Sequence, residues 1–126
     1  MKHIIWDFNG TLLNDTQLSL DVDNNVFEKL GIPGITLDDY RNNMTMPVRD
    51  FYPAVGVDYS IHSYETIARL WLDEFNQKAV GVGLVSGALD AIRFFHGQGR
   101  SQSVLSASYE LSLRKQCEAL GLTPYM

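Results

Sequence analysis

The chain has 126 residues, 45% hydrophobic and 20% charged, a balance that suits a small globular protein with a buried core. Its formal net charge of −5 excludes a nucleic-acid partner held by electrostatic attraction, and no basic stripe offsets it. No segment approaches the ~20 apolar residues of a membrane helix, and the single Cys117 can form no internal disulfide, so a cytoplasmic protein without a membrane partner is expected.

The run Ile4-Ile5-Trp6 predicts a buried strand ending at Asp7. A carboxylate at the C-terminal tip of such a strand stands where open α/β sheets put their chemistry. Gly10 lets the chain turn sharply just beyond it, and Thr11 with the N–H groups around Phe8 and Asn9 can hydrogen-bond a small anion there. The same residues would also close an ordinary strand-end turn. Next, Leu18, Val22, Val26, Phe27 and Leu30 recur at helical spacing and stop at the breaker cluster Gly31-Ile32-Pro33-Gly34. Thr36 with Asp39 three residues on predicts a capped helix over 37–42, and Pro47 can open a third helix with Val48, Phe51 and Tyr52 on one side. The longest helix is expected over 60–79, completing a small helical bundle.

Beyond Gly81, Ser86 is expected to cap a helix carrying Leu89, Ile92 and Phe95 that ends at Gly97-Gln98-Gly99. A second apolar strand then runs into the hydroxyl of Ser106. Ser108 is expected to cap the last helix, which carries Cys117 on its apolar face and stops at Gly121. Segments 52–60 and 81–87 read as flexible connections between the helical part and the rest. His3, His62 and His96 have no metal-site spacing.

Asp7-Phe8-Asn9-Gly10-Thr11-Leu12 resembles the first motif of the haloacid dehalogenase-like superfamily, Asp-x-Asp-Gly-Thr-Leu/Val, and departs from it only at Asn9. The strand ending at Ser106 resembles the second motif. The stretch from Glu118 to Leu122 resembles the helix that follows it in phosphoglycolate phosphatase-like members. The resemblance implies an α/β fold with a Rossmann-like parallel-sheet core in residues 1–14 and 81–126, incomplete in this chain, and an α-helical cap inserted over 15–80. It implies a Mg²⁺-dependent phosphatase of a small phosphorylated metabolite that forms an aspartyl phosphate on Asp7. Asp7 and Asn9 would then be the catalytic and metal-binding residues, Asn9 meeting the metal through its backbone carbonyl. Gly10, Thr11 and Ser106 would hold the phosphoryl group. Arg49, between cap helices, is suited to bidentate recognition of a carboxylate or a second phosphate.

In the family, the residue at the position of Asn9 protonates the leaving oxygen and then activates water, and an Asn does neither. A positioned acid or base contributes ~10²–10⁴-fold, so slow turnover of poor leaving groups is expected. The phosphate-neutralising Lys and the later acidic pair of the family have no counterpart in the chain, which runs only 20 residues past Ser106. The expectation is an N-terminal portion of a larger fold, with little activity in this chain alone and an unpaired sheet edge that a homodimer would cover. The alternative is a non-catalytic module that binds phosphate, a metabolite or a protein. A receiver-type phosphoacceptor domain is disfavoured, because its acceptor lies mid-chain whereas Asp7 lies at the start.

Overall fold

The computed structural model describes residues 2–126. In chain order the elements are β1 (Ile4–Asp7), α1 (Thr16–Leu30), α2 (Leu37–Asn43), α3 (Phe51–Ala54), α4 (Tyr64–Lys78), α5 (Ala88–Gly97), β2 (Gln102–Leu105) and α6 (Glu110–Ala119). Short 3-10 turns occupy Val48–Asp50, Ala79–Gly81 and Thr123–Tyr125. The fold is α/β, and the chain divides into two compact units. One runs as far as Thr16 and resumes over Val80–Met126, and the other is Gln17–Ala79.

In the α/β unit, β1 and β2 pair in parallel with the register Ile4↔Gln102 through Asp7↔Leu105. Alternation decides which face is covered. Ile4 and Trp6 are part-buried, whereas Ile5 and Leu105 point outward at 62% and 68% exposure. On the covered side Gln102 is buried, and a buried amide needs partners. It has two: Oε1 accepts from Trp6 Nε1 at 2.8 Å, and Nε2 donates to the Ile92 carbonyl at 3.0 Å. Phe8, Leu12, Leu13, Ile92 and Leu122 make a fully enclosed core with Cys117 at its edge.

Gly121 ends α6 at φ 74°, a conformation that costs glycine little. Its N–H donates to Glu118 O while the Leu122 N–H donates to Cys117 O, which turns Leu122 into the core as in a Schellman motif. Two expected caps are different. The residue before α6 is Tyr109, with no side-chain cap bond, because Ser108 is turned back and its N–H donates to Ser106 Oγ. The residue before α5 is Gly87 in the left-handed region, so Ser86 lies one position too early to cap it. Segment 81–87 is also no loose connection, since Asn14 N–H donates to Gly83 O and Val85 N–H to Leu12 O.

The helical unit packs Val22, Val26, Phe27, Phe51 and Ile67 into a fully buried core, with Tyr52 and Phe75 beside them. Segment 52–60 therefore starts inside this core. The capping box of α2 forms in both directions, Asp39 N–H to Thr36 Oγ1 at 3.1 Å and Thr36 N–H to Asp39 Oδ2 at 3.0 Å. α4 begins at Tyr64 rather than near residue 60. The Asp58 carboxylate takes both the N–H and the hydroxyl of Ser60 into a turn, and Ser63 caps the helix through the Thr66 N–H.

Asp23 is buried on α1, and its Oδ1 accepts the Tyr52 hydroxyl at 2.8 Å. Burial pushes this carboxyl up from its ordinary value of 3.8 to about 7, against the opposing effect of the Tyr52 hydrogen bond. Between those two values the folded state holds a proton that the unfolded chain has lost. Stability therefore falls as pH rises through that window and is highest at its acid end. Wild-type unfolding free energy, read from urea midpoints, is expected to be lower at pH 8 than at pH 5 by on the order of a few kcal/mol. Asp23→Asn should flatten that dependence, and an unchanged pH slope in the variant would contradict the assignment.

Candidate active site

The site is built on the register of the two strands. Because Asp7 pairs with Leu105, the residue after each strand emerges at the same edge, and Ser106 follows Leu105 directly. The loop after Asp7 winds tightly around one carbonyl: Phe8 O accepts from Thr11, Leu12 and Leu13 N–H at 3.1, 2.9 and 2.9 Å. Phe8, Leu12 and Leu13 anchor it in the core, which leaves Asp7, Asn9, Gly10 and Thr11 at the surface.

Within this loop Thr11 Oγ1 donates to Asp7 Oδ2 at 2.8 Å. Asn9 faces two ways. Its amide nitrogen donates to Asp15 Oδ2 at 2.8 Å, while its amide oxygen accepts from Ser106 Oγ at 3.0 Å and from Ser108 Oγ at 3.4 Å. Gly10, at φ 75°, donates its N–H to Asp15 Oδ1 at 2.7 Å. Five of the residues singled out by sequence, Asp7, Asn9, Gly10, Thr11 and Ser106, thus lie at one end of the strand pair, Asp7 bonded to Thr11 and the other three joined through Asp15 and the Asn9 amide. Arg49 belongs to the helical unit, where its guanidinium pairs with Glu65 at 2.7 Å and lies 4.8 Å from the centroid of the Tyr64 ring.

The sequence profile of the haloacid dehalogenase-like hydrolase family matches residues 4–126. This chain belongs to that family. Among solved structures, a haloacid dehalogenase-like family hydrolase from Streptococcus pneumoniae aligns at a TM-score of 0.80 and 14% identity, covering 100% of this chain and 59% of that one. A predicted phosphoglycolate phosphatase from Haemophilus somnus aligns at 0.77 and 12%, covering 100% and 60%. An Asp→Asn variant of CbbY from Rhodobacter sphaeroides, in complex with xylulose-1,5-bisphosphate, aligns at 0.74 and 20%, covering 94% and 56%. At these identities the likeness is one of fold, and the chain spans under two thirds of the length of each. No curated protein matches it.

One residue of this haloacid dehalogenase-like site is invisible to the motif. Asp15 stands just before an amphipathic helix, where an acid reads as an ordinary cap. It is instead buried at 2% exposure, with both carboxylate oxygens occupied by Asn9 and Gly10. Burial pushes its carboxyl up from the ordinary value, the hydrogen bonds from Asn9 and Gly10 oppose this, and the nearby charge of Asp7 adds to the rise. The one signal in sequence was an acid six residues past Asn9, within reach of a tight loop.

Hard oxygen donors suit Mg²⁺, which keeps several waters and takes one or two carboxylates. Asp7 and the Asn9 carbonyl offer part of such a set. Among the described residues no group of three or more His, Cys, Asp and Glu side chains is placed to hold one ion.

A Cβ added at Gly10 would lie 3.2 Å from Thr16 Oγ1, on a backbone that L side chains rarely adopt. Gly10→Ala is therefore expected to lower the unfolding free energy by ~1–2 kcal/mol in urea titrations. An unchanged midpoint would mean that the loop rearranges freely.

Proposed function

We propose that this chain carries the nucleophile and phosphate-binding residues of a Mg²⁺-dependent phosphatase that acts on a small phosphorylated metabolite. The observation that carries the reading is the Asp7 carboxylate at the tip of β1, with the Thr11 hydroxyl on its Oδ2 and the Ser106 hydroxyl at the adjoining strand end. In this reading the Asp7 oxygen attacks phosphorus and displaces the leaving oxygen, and water then releases phosphate from the resulting aspartyl phosphate. Thr11 orients the carboxylate. The Ser106 hydroxyl turns from Asn9 to a phosphoryl oxygen, and the Gly10 loop lets backbone approach the anion. Mg²⁺, held by Asp7 and the Asn9 carbonyl, would offset phosphate charge when bound.

The helical unit Gln17–Ala79 serves in this proposal as the cap, with Arg49 exchanging its exposed partner Glu65 for a substrate carboxylate or phosphate. Likeness in fold to a predicted phosphoglycolate phosphatase and to a protein bound to a sugar bisphosphate supports a small organic phosphate. A second copy pairing along an edge of the two-stranded sheet, and a cytoplasmic location in keeping with the buried free thiol of Cys117, belong to the same reading. Asn9 in place of an acid is the specific observation that favours the second reading, a non-catalytic phosphate- or metabolite-binding module.

Hydrolysis of p-nitrophenyl phosphate separates the two, because its good leaving group lessens the need for an acid. Mg²⁺-dependent turnover is expected of the complete protein that carries this chain, and Asp7→Asn there should lower it by at least ~10³-fold. Turnover retained in Asp7→Asn would remove the nucleophile assignment, and none in either protein would favour the binding module.

A further inference from the structure

Asn9 can present either end of its amide to a ligand, and the two ends do opposite chemistry: the nitrogen donates a hydrogen bond and the oxygen accepts one. Asp15 removes the choice. Its two oxygens accept from Asn9 Nδ2 at 2.8 Å and Gly10 N–H at 2.7 Å, so the carboxylate is bonded along both arms and turned away from solvent. With the nitrogen so engaged, Asn9 Oδ1 is left facing the Ser106 and Ser108 hydroxyls at 3.0 and 3.4 Å. Flipping the amide would set its oxygen against the Asp15 carboxylate, losing a charge-assisted bond in a part-buried position.

We infer that Asp15 is a positioning residue that holds the Asn9 amide with its oxygen toward the Ser106 and Ser108 hydroxyls, and that the site, with this fixed amide in place of an acid, is matched to phosphoryl donors whose leaving group departs as a stable anion, aryl and acyl phosphates, rather than to alkyl monoesters. This rests on the phosphatase reading of Asp7. As the Asp7 oxygen forms its bond to phosphorus, the P–O bond to the leaving group breaks and that oxygen departs with the electron pair. No proton is available to it from Asn9, whose amide is not an acid, or from Asp15, whose oxygens both accept. Thr11 already donates to Asp7. An aryloxide or carboxylate leaves readily without a proton, and an alkoxide does not. Water then attacks phosphorus, the aspartyl C–O–P linkage opens to return the Asp7 carboxylate, and both water protons leave with phosphate or solvent.

The test is a cycle over Asn9→Asp, Asp15→Asn and the two combined, with two readouts. Asn9→Asp sets two carboxylates face to face across a 2.8 Å contact, and Asp15→Asn sets an NH2 group against one of the two N–H donors and removes the charge that both bond, Gly10 N–H keeping only the Leu13 carbonyl at 3.0 Å if it is the one displaced. Each single change should lower Tm by roughly 5–10 °C. In the combined variant the amide introduced at position 15 can donate to the carboxylate introduced at position 9 while its oxygen still accepts from Gly10, so most of that loss should return; losses that simply add would overturn the pairing. The second readout is kcat/KM on acetyl phosphate, p-nitrophenyl phosphate and glycerol 3-phosphate. Wild type should cleave the alkyl ester at least ~10²-fold less efficiently than the aryl ester, and the combined variant, with a carboxyl at position 9, should narrow that ratio by at least ~10-fold. Comparable wild-type rates on alkyl and aryl esters, or a ratio unmoved in the combined variant, would overturn the leaving-group inference. No turnover of any substrate by any variant would overturn both that inference and the phosphatase reading, while the melting cycle still decides the Asn9–Asp15 pairing.

Discussion

Parallel pairing of two four-residue strands is the constraint on which the rest of the site depends. Side chains and strand ends in a parallel pair have a common direction, so the register Asp7↔Leu105 delivers two chain segments nearly a hundred positions apart in sequence to one edge. Gln102 holds that register from below through Trp6 and the Ile92 carbonyl, in a core closed by Phe8, Leu12 and Leu122. A slip of β1 by one residue would turn Ile5 inward, expose Trp6 and move Ser106 away from Asn9. Packing below the sheet thus sets the chemistry above it.

The second layer of organisation is polar. A loop that winds three N–H groups onto the Phe8 carbonyl has little freedom left, and Asp15 takes most of what remains by binding Asn9 and Gly10 together. A buried carboxylate is costly unless its oxygens are satisfied, and here each has an N–H partner. The desolvation that burdens Asp15 is therefore tied to the shape of the loop that carries Asp7. In the helical unit Asp23 and Tyr52 make a sparser version of the same arrangement, with one hydrogen bond to a carboxyl in an apolar core.

Much of this was legible from residue order, for physical reasons that are local. A short apolar run followed by Asp-x-Asn-Gly-Thr is a strand meeting a turn, and the pattern around Ser106 is a second strand meeting hydroxyls. The capping box at Thr36 and Asp39 and the helix stop at Gly121 are likewise decided within a few residues. What escaped depends on contacts the chain makes after folding. Ser108 looks like a cap until Asn9 and Ser106 are brought beside it. Arg49 looks free until Glu65, sixteen positions on, is folded against it. Asp15 looks like a solvated acid at a helix start, and only the return of the loop makes it the anchor of Asn9.

Trapping the phosphorylated side chain is the direct test of Asp7 as nucleophile. The full chain would be incubated with acetyl phosphate and Mg²⁺, quenched, reduced with borohydride to convert an acyl phosphate to an alcohol, and mapped by peptide mass spectrometry. Conversion is expected at Asp7 alone. Conversion at Asp15 or at another carboxylate, or none at all under conditions where phosphate is released, would contradict it.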